Sequence, residues 1–214
     1  MANLALFDLD NTLVDRQAAF LEWASEFADE HSLGDAASAT LEVLDMDGLR
    51  SRTEFFGSVR RAFPITTPVD DLVSRYLVDY PRHFRVADET IDALRRLRAG
   101  GWKIGVVTNG QPSQRLKLDV TGLGAEVDAV CVSAEVGSEK PDKAIFEEAA
   151  RRCGVPLAGW MVGDSAGADI AGGHGCGLMT IWMSRGRHWS SSGPTPDAIV
   201  ATIPEAAALI LGPN

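Results

Sequence analysis

Short, continuous apolar runs recur along this chain, each followed by small or polar residues. They occupy residues 3–7, 102–107, 129–133, 159–163 and 179–183, with a shorter one at 198–200. Runs of this length are typical of strands buried on both faces in a parallel sheet. Helical spacing of apolar residues separates the later runs. This alternation predicts an α/β fold, a doubly wound, mostly parallel sheet with helices on both faces.

The block between the first two runs has a different pattern. Apolar residues such as Phe20, Trp23 and Phe27 follow helical spacing, and no convincing strand interrupts residues 15–85. Helices are predicted over 16–31, 36–44, 53–62 and 69–80. A crossover between parallel strands needs only one helix. The additional helices predict an inserted all-helical domain, the helical cap, at 15–85, with residues 1–14 and 86–214 forming the α/β core.

Composition narrows the classes of function. Of 214 residues, 45% are hydrophobic and 23% charged, as in ordinary globular proteins, and the formal net charge is −10. A net anion disfavours binding to a nucleic acid polymer or an anionic membrane. The three cysteines, Cys131, Cys153 and Cys176, lack metal-ligand spacing and suit a reducing compartment. No signal peptide or membrane-spanning run is evident, so we expect a soluble cytoplasmic protein, a monomer or a homodimer.

Carboxylates stand where two of the predicted strands end. Asp8 and Asp10 follow the first run, and Asp164 follows the fourth, with Asp169 about one helical turn later. In open α/β sheets, ligands bind at the carboxyl ends of the strands. Clustered carboxylates are costly there unless a positive charge compensates them, and Mg²⁺ suits oxygen ligands. The spacing therefore predicts a magnesium site at this edge.

Three further polar residues complete a candidate site. Thr108 and Asn109 end the second predicted strand, and Lys140 precedes a helix. Alone, each has an ordinary explanation: Thr108 and Asn109 suit a turn, Lys140 a surface charge, and Asp10 a helix cap. Together with the carboxylates, they suit a phosphate group held between a metal and a lysine, with a carboxylate placed to attack it.

These residues fall into four motifs that occur in a characteristic order. The motifs are Asp8-Leu9-Asp10-Asn11-Thr12-Leu13, Thr108-Asn109-Gly110, Lys140-Pro141, and Gly163-Asp164-Ser165 followed by Asp169. Their order and spacing resemble the haloacid dehalogenase superfamily of aspartate-nucleophile hydrolases, in the subgroup with a helical cap inserted after the first motif. Each motif is weak alone, and four in order make a specific signal.

The resemblance implies a role for each residue. Asp8 would be the nucleophile that forms an aspartyl-phosphate, and Asp10 the general acid and base. Thr108, Asn109 and Lys140 would bind the phosphate, and Lys140 would also neutralise charge at the nucleophile. The implied ligands of Mg²⁺ are Asp8, Asp10 (through its backbone carbonyl), Asp164 and Asp169. Arg16 lies close to the first motif and is a further candidate contact for the phosphate or the substrate. Arg185, Arg187 and His188 follow the fifth run, where a solvated loop is the favoured interpretation and contact with the substrate is the alternative.

The second aspartate of the first motif, Asp10, distinguishes between branches of the superfamily that this sequence resembles. Relatives that cleave carbon–halogen bonds lack it, since a halide needs no proton, so Asp10 favours phosphate esters. The branch that cleaves phosphonates uses a cap lysine, and no lysine lies between Asp15 and Arg85. The expected function is hydrolysis of a small phosphorylated metabolite, a phosphosugar or a nucleoside monophosphate. A phosphomutase and a non-catalytic binding module stay open as alternatives.

Overall fold

The computed structural model describes residues 3–212, which divide into two compact units. The chain up to Asp15 and from Val86 onward forms the core unit, and Arg16–Arg85 forms the helical unit. No helix in the described part of the chain is long and apolar enough to cross a membrane.

The helical unit is built around buried aromatic rings. Its α-helices are α1 (Arg16–Glu30), α2 (Ala37–Asp45), α3 (Arg52–Ala62) and α4 (Val69–Asp79). Trp23 of α1 packs edge-on against Tyr76 of α4, with ring centroids 4.8 Å apart, and stacks on Phe27 at 5.0 Å. Aromatic pairs in these arrangements stabilise a core beyond the area that they bury. Apolar spacing along α1 thus serves packing within the unit.

The core unit contains a six-stranded sheet in which every neighbouring pair is parallel. The strands are β1 (Asn3–Phe7), β2 (Trp102–Thr108), β3 (Ala129–Val132), β4 (Gly159–Gly163), β5 (Met179–Met183) and β6 (Ala198–Val200), in the spatial order β3-β2-β1-β4-β5-β6. Its α-helices are α5 (Asp88–Ala99), α6 (Gln114–Thr121), α7 (Ser133–Val136), α8 (Lys143–Cys153), α9 (Ala171–Gly175) and α10 (Ile203–Leu211). The predicted fold class is confirmed.

Strand β1 lies at the point where the strand order reverses, the place where open α/β sheets bind ligands. Leu4 and Leu6 pack in an apolar cluster with α8. Ala5 and Phe7 alternate to the opposite face and are fully buried as well. Both faces of β1 are therefore covered, as its continuous apolar run predicts.

The register of β1 brings the site residues to the same edge. Phe7 pairs with Val106 of β2 and with Val162 of β4. Asp8 comes one residue after Phe7, while Thr108 and Asp164 come two residues after those partners. The backbone N–H of Asp8 continues the ladder by donating to the carbonyl of Val162 at 2.9 Å.

Two segments differ from the sequence-based expectation. The third strand ends at Val132, and Ser133 begins the one-turn helix α7 instead of ending the strand. Between Ser165 and α9, the chain forms a π-helical turn at Ala166–Ile170, an irregularity that the spacing of apolar residues does not indicate. Ser165 caps that turn because its hydroxyl accepts a hydrogen bond from the Ala168 N–H at 3.2 Å.

Candidate active site

A buried lysine bridges two of the predicted carboxylates. Lys140 Nζ donates to Asp8 Oδ1 at 2.6 Å and to Asp169 Oδ1 at 2.7 Å. Lys140 is 4% exposed, Asp8 7% and Asp169 0%. Removing one partner of such a buried pair leaves an uncompensated charge, so each of the three depends on the others.

Burial and charge shift the proton equilibria of this cluster. Burial raises the pKa of Asp8 to about 7; Lys140 acts against this rise and Asp169 adds to it. Burial alone would lower the pKa of Lys140, but the attraction of Asp169 and Asp8 outweighs it and raises that pKa above its ordinary value. Lys140 therefore stays protonated. The carboxyl groups around it are more numerous than the single positive charge that it supplies.

The excess carboxylates form a group that fits a divalent cation. One oxygen each from Asp8, Asp164 and Asp169 lies within 4.8 Å of the others. A donor set made only of carboxylate oxygens suits a hard cation such as Mg²⁺, and one lysine leaves a negative charge to be neutralised. The Asp10 carboxylate is not part of this group. Its backbone carbonyl is the atom that the resemblance assigns to the metal.

Local backbone structure fixes Asp169 in this group. Asp169 Oδ2 accepts a hydrogen bond from the Ser165 N–H at 2.9 Å. A Cβ added at Gly163 would lie 2.3 Å from Asp169 Cγ, so only glycine leaves room for that carboxylate. This explains the glycine in the Gly163-Asp164-Ser165 motif.

Arginine and tryptophan side chains from β5 and the loop after it hold Asp164. Arg187 Nη2 donates to the Asp164 backbone carbonyl at 3.0 Å and to Asp164 Oδ2 at 3.1 Å. Trp182 Nε1 donates to the same carbonyl at 2.9 Å, and Arg185 Nη1 lies 3.8 Å from Asp164 Oδ2. The sequence favours a solvated loop here, with substrate contact as the alternative; in the structure, the loop contacts Asp164, a candidate metal ligand.

The Asp10 carboxylate is held from helix α6. Lys117 Nζ donates to both carboxylate oxygens at 2.7 Å, and Gln114 Nε2 donates to Asp10 Oδ2 at 2.9 Å. Neither residue was predicted from the sequence to belong to the site. The sequence did contain an indication of them. The buried stripe of α6, at positions i, i+3 and i+4, consists of Gln114, Lys117 and Leu118, and two of these three residues are polar.

Thr108 and Asn109 have different surroundings. Thr108 is 1% exposed, and its hydroxyl oxygen accepts a hydrogen bond from Gln114 at 2.8 Å. The Asn109 side chain bonds the main chain of Lys140: Oδ1 accepts from the Lys140 N–H at 2.8 Å and Nδ2 donates to the Lys140 carbonyl at 2.9 Å. Asn109 therefore ties the end of β2 to the loop that carries Lys140.

Arg16 is engaged inside the helical unit. Its guanidinium bonds Asp45 at 2.5 Å and Asp47 at 3.2 Å, and Asp45 also pairs with Arg52 at 2.7 Å. These ion pairs connect α1, α2 and α3. They give Arg16 a structural role within its own unit, whereas its position near the first motif predicts a contact with the phosphate or the substrate.

Comparison with known proteins bears on the family of this chain. A family model described as haloacid dehalogenase-like hydrolase matches residues 2–177. The chain is similar to the pyrimidine 5'-nucleotidase YjjG of Escherichia coli, with 38% identity over 114 residues, which are 52% of this chain and 51% of the relative. It spans about half the length of this relative and of two further curated phosphatases.

Two other matches span most of the chain. A ribulose-1,5-bisphosphate 5-phosphatase from Halopiger xanaduensis is 32% identical over 201 residues, 85% of this chain and 84% of the relative. The solved structure of the HAD-hydrolase YfnB from Bacillus subtilis, bound to magnesium, superposes with a TM-score of 0.82 at 23% identity, covering 98% of each chain. The latter likeness concerns the fold alone.

Proposed function

Since the chain belongs to the haloacid dehalogenase-like hydrolases, we propose that it is a magnesium-dependent phosphatase that hydrolyses small phosphomonoesters through an aspartyl-phosphate on Asp8. One observation carries this proposal. The buried ammonium of Lys140 lies 2.6 Å from Asp8 Oδ1, and Asp8 shares a cluster of carboxylate oxygens with Asp164 and Asp169. A nucleophilic carboxylate with a fixed counter-cation and room for a divalent metal is what phosphoryl transfer to an aspartate requires.

In the first step, a carboxylate oxygen of Asp8 attacks phosphorus. The new Asp8–phosphorus bond forms as the ester bond between phosphorus and the leaving oxygen breaks. Asp10 donates its proton to that oxygen, which leaves as an alcohol. Lys140 lowers the repulsion between Asp8 and the phosphate dianion, and the Thr108 hydroxyl donates a hydrogen bond to a phosphate oxygen.

In the second step, water releases the phosphate. Asp10, now a carboxylate, takes a proton from a water molecule as the water oxygen attacks phosphorus. The Asp8–phosphorus bond breaks, so that inorganic phosphate leaves and Asp8 is restored. Asp8, Asp164, Asp169 and the backbone carbonyl of Asp10 are the groups that would hold Mg²⁺, which when bound would supply positive charge that offsets the charge of the phosphoryl group.

The proposed substrates are phosphosugars or nucleoside monophosphates. The relatives include a pyrimidine 5'-nucleotidase, named for a nucleotide substrate, and a ribulose-1,5-bisphosphate 5-phosphatase, named for a phosphosugar. Asp10 supports an ester substrate over a haloacid, because an alkoxide leaving group needs a proton and a halide does not.

The test is phosphate release from a broad panel of phosphosugars and nucleoside monophosphates, measured with Mg²⁺ and with a chelator. We expect metal-dependent release that falls at least about 1,000-fold in Asp8→Asn, which removes the nucleophile but keeps the side-chain shape. Activity retained in Asp8→Asn would contradict the nucleophile assignment. Conversion of a substrate into its isomer without phosphate release would indicate a mutase instead.

A further inference from the structure

The Asp10 carboxylate makes a set of contacts that the four motifs do not account for. Lys117 Nζ is 2.7 Å from both of its oxygens, and Gln114 Nε2 is 2.9 Å from Oδ2. The two side chains stand one turn apart on α6, at 7% and 5% exposure. Surface ion pairs contribute little, but a buried ammonium is costly to desolvate, so this pair is a specific structural feature.

Gln114 connects Asp10 with Thr108. A carboxylate only accepts hydrogen bonds, so the Gln114 amide must present its nitrogen to Asp10. The same nitrogen lies 2.8 Å from Thr108 Oγ1, which therefore accepts its second hydrogen. Because the threonine oxygen accepts from Gln114, its own proton is directed elsewhere and is available to a phosphate oxygen.

Gly110 makes room for this arrangement. A Cβ at Gly110 would lie 2.9 Å from Gln114 Cγ and 3.1 Å from Gln114 Cδ. The glycine of the Thr108-Asn109-Gly110 motif thus allows Gln114 to reach Asp10 and Thr108 from the following helix.

We propose that Lys117 and Gln114 are positioning residues for phosphoryl transfer: Lys117 orients the Asp10 carboxyl group toward the leaving oxygen, and Gln114 aligns Asp10 with the Thr108 hydroxyl. The inference rests on the proposed function. It adds two residues of α6 to the site and assigns them to the proton-transfer part of the reaction.

Leaving groups of different basicity distinguish positioning from general support of the fold. An alkoxide must receive a proton from Asp10 as the ester bond breaks, whereas p-nitrophenolate is a stable anion and leaves without one. Misalignment of Asp10 therefore slows cleavage of an alkyl ester much more than cleavage of p-nitrophenyl phosphate. A loss of structural integrity slows both to the same extent.

The experiment compares kcat/KM of Lys117→Met and Gln114→Leu on p-nitrophenyl phosphate and on the alkyl phosphomonoester that the wild type cleaves fastest. We expect a fall of about 100-fold on the alkyl ester and less than about 10-fold on the aryl ester. Lys117→Arg, which keeps the charge, should recover part of the alkyl activity. Lys143→Met, which removes the charge of an exposed lysine on α8, is the matched control and should change neither value.

A double-mutant cycle sharpens the result. In an Asp10→Asn background, Lys117→Met should cause no further selective loss on the alkyl ester, since the group that it orients can no longer donate its proton. An independent additional loss would show that Lys117 acts on something other than Asp10, and would overturn the inference.

The remaining outcomes separate the two proposals. Equal losses on both esters, or no loss in either variant, overturn the positioning role while the phosphatase stands. A wild type that cleaves neither ester removes the proposed function, and this inference with it.

Discussion

At the scale of single residues, Asn109 serves the site through the backbone of another residue. Its amide makes two hydrogen bonds with the main chain of Lys140, at 2.8 and 2.9 Å. These bonds fix the loop from which the Lys140 ammonium reaches Asp8. The family resemblance instead suggests that Asn109 contacts the phosphate. The two roles can be distinguished, because they predict different effects on kcat and KM.

We predict that Asn109→Ala lowers kcat about 10- to 100-fold with little change in KM, because a small displacement of Lys140 weakens its interaction with the reacting groups. Steady-state kinetics with Mg²⁺, together with the melting temperature of each variant, test this. Gln111→Ala, at an exposed position of the same loop, is the control. A raised KM with unchanged kcat would instead indicate that Asn109 binds the phosphate directly.

The same scale shows what the sequence could predict about the site. Asp8 and Asp164 were identifiable because each follows an apolar run that has to be a buried strand. Lys117 was not, because its significance depends on which face of α6 turns toward β1 and on a partner 107 positions away. Helical spacing reveals that a stripe is buried, but it does not reveal what the stripe contacts.

At the scale of elements, Asp128 joins the start of β3 to β2. Its N–H donates to the Ile104 carbonyl at 2.7 Å, and its Oδ2 accepts from the Ile104 N–H at 2.9 Å. Lys103 Nζ donates to its Oδ1 at 2.7 Å. Burial alone would raise the pKa of Asp128, but the hydrogen bonds from Ile104 and Lys103 outweigh it and lower that pKa below its ordinary value.

We predict that Asp128→Asn costs about 1–2 kcal/mol of unfolding free energy at pH 7, through the loss of charge-assisted hydrogen bonds. Because the folded-state pKa is depressed, this contribution is complete above the unfolded pKa of about 3.9 and is lost as the pH falls through the lower folded value. The difference between variant and wild type should therefore narrow below about pH 4. Urea unfolding at several pH values measures it, with Asp119→Asn as an exposed control. A difference that stays constant down to pH 2 would contradict the assignment.

Elements were more predictable than their ends. The runs at 159–163, 179–183 and 198–200 coincide with β4, β5 and β6. The end of β3 did not follow the pattern, because Ser133 leaves the strand to bond Gly110: its hydroxyl oxygen accepts from the Gly110 N–H at 2.9 Å. Apolar periodicity carries no information about such a contact, since it arises only when β2 and β3 are side by side.

At the scale of the whole molecule, charge balance dominates the proposed site. Asp8, Asp164 and Asp169 converge within 4.8 Å, and the chain has a formal net charge of −10. A cation that binds the native cluster, and not the unfolded chain, stabilises the fold by mass action.

We predict that Mg²⁺ at about 100 times its dissociation constant adds about 2.7 kcal/mol to the unfolding free energy and raises the melting temperature by roughly 5–10 °C. Thermal unfolding with Mg²⁺, with chelator and with NaCl at matched ionic strength tests this. Asp164→Asn should greatly reduce the response, while Asp142→Asn, at an exposed position, should preserve it. Equal melting temperatures with Mg²⁺ and with chelator would argue against the metal site.

The separation of Asp8 from Lys140 by 132 positions has a consequence for biosynthesis. A growing chain exposes Asp8 and Asp10 long before the ribosome has made their cationic partners, and closing so long a loop is entropically unfavourable without the strands between. Until then the acids are solvated, and Asp8, the proposed nucleophile, lacks its counter-ion. The active site can therefore form only late in folding. When the protein refolds after dilution from denaturant, the return of activity should coincide with the completion of the parallel sheet.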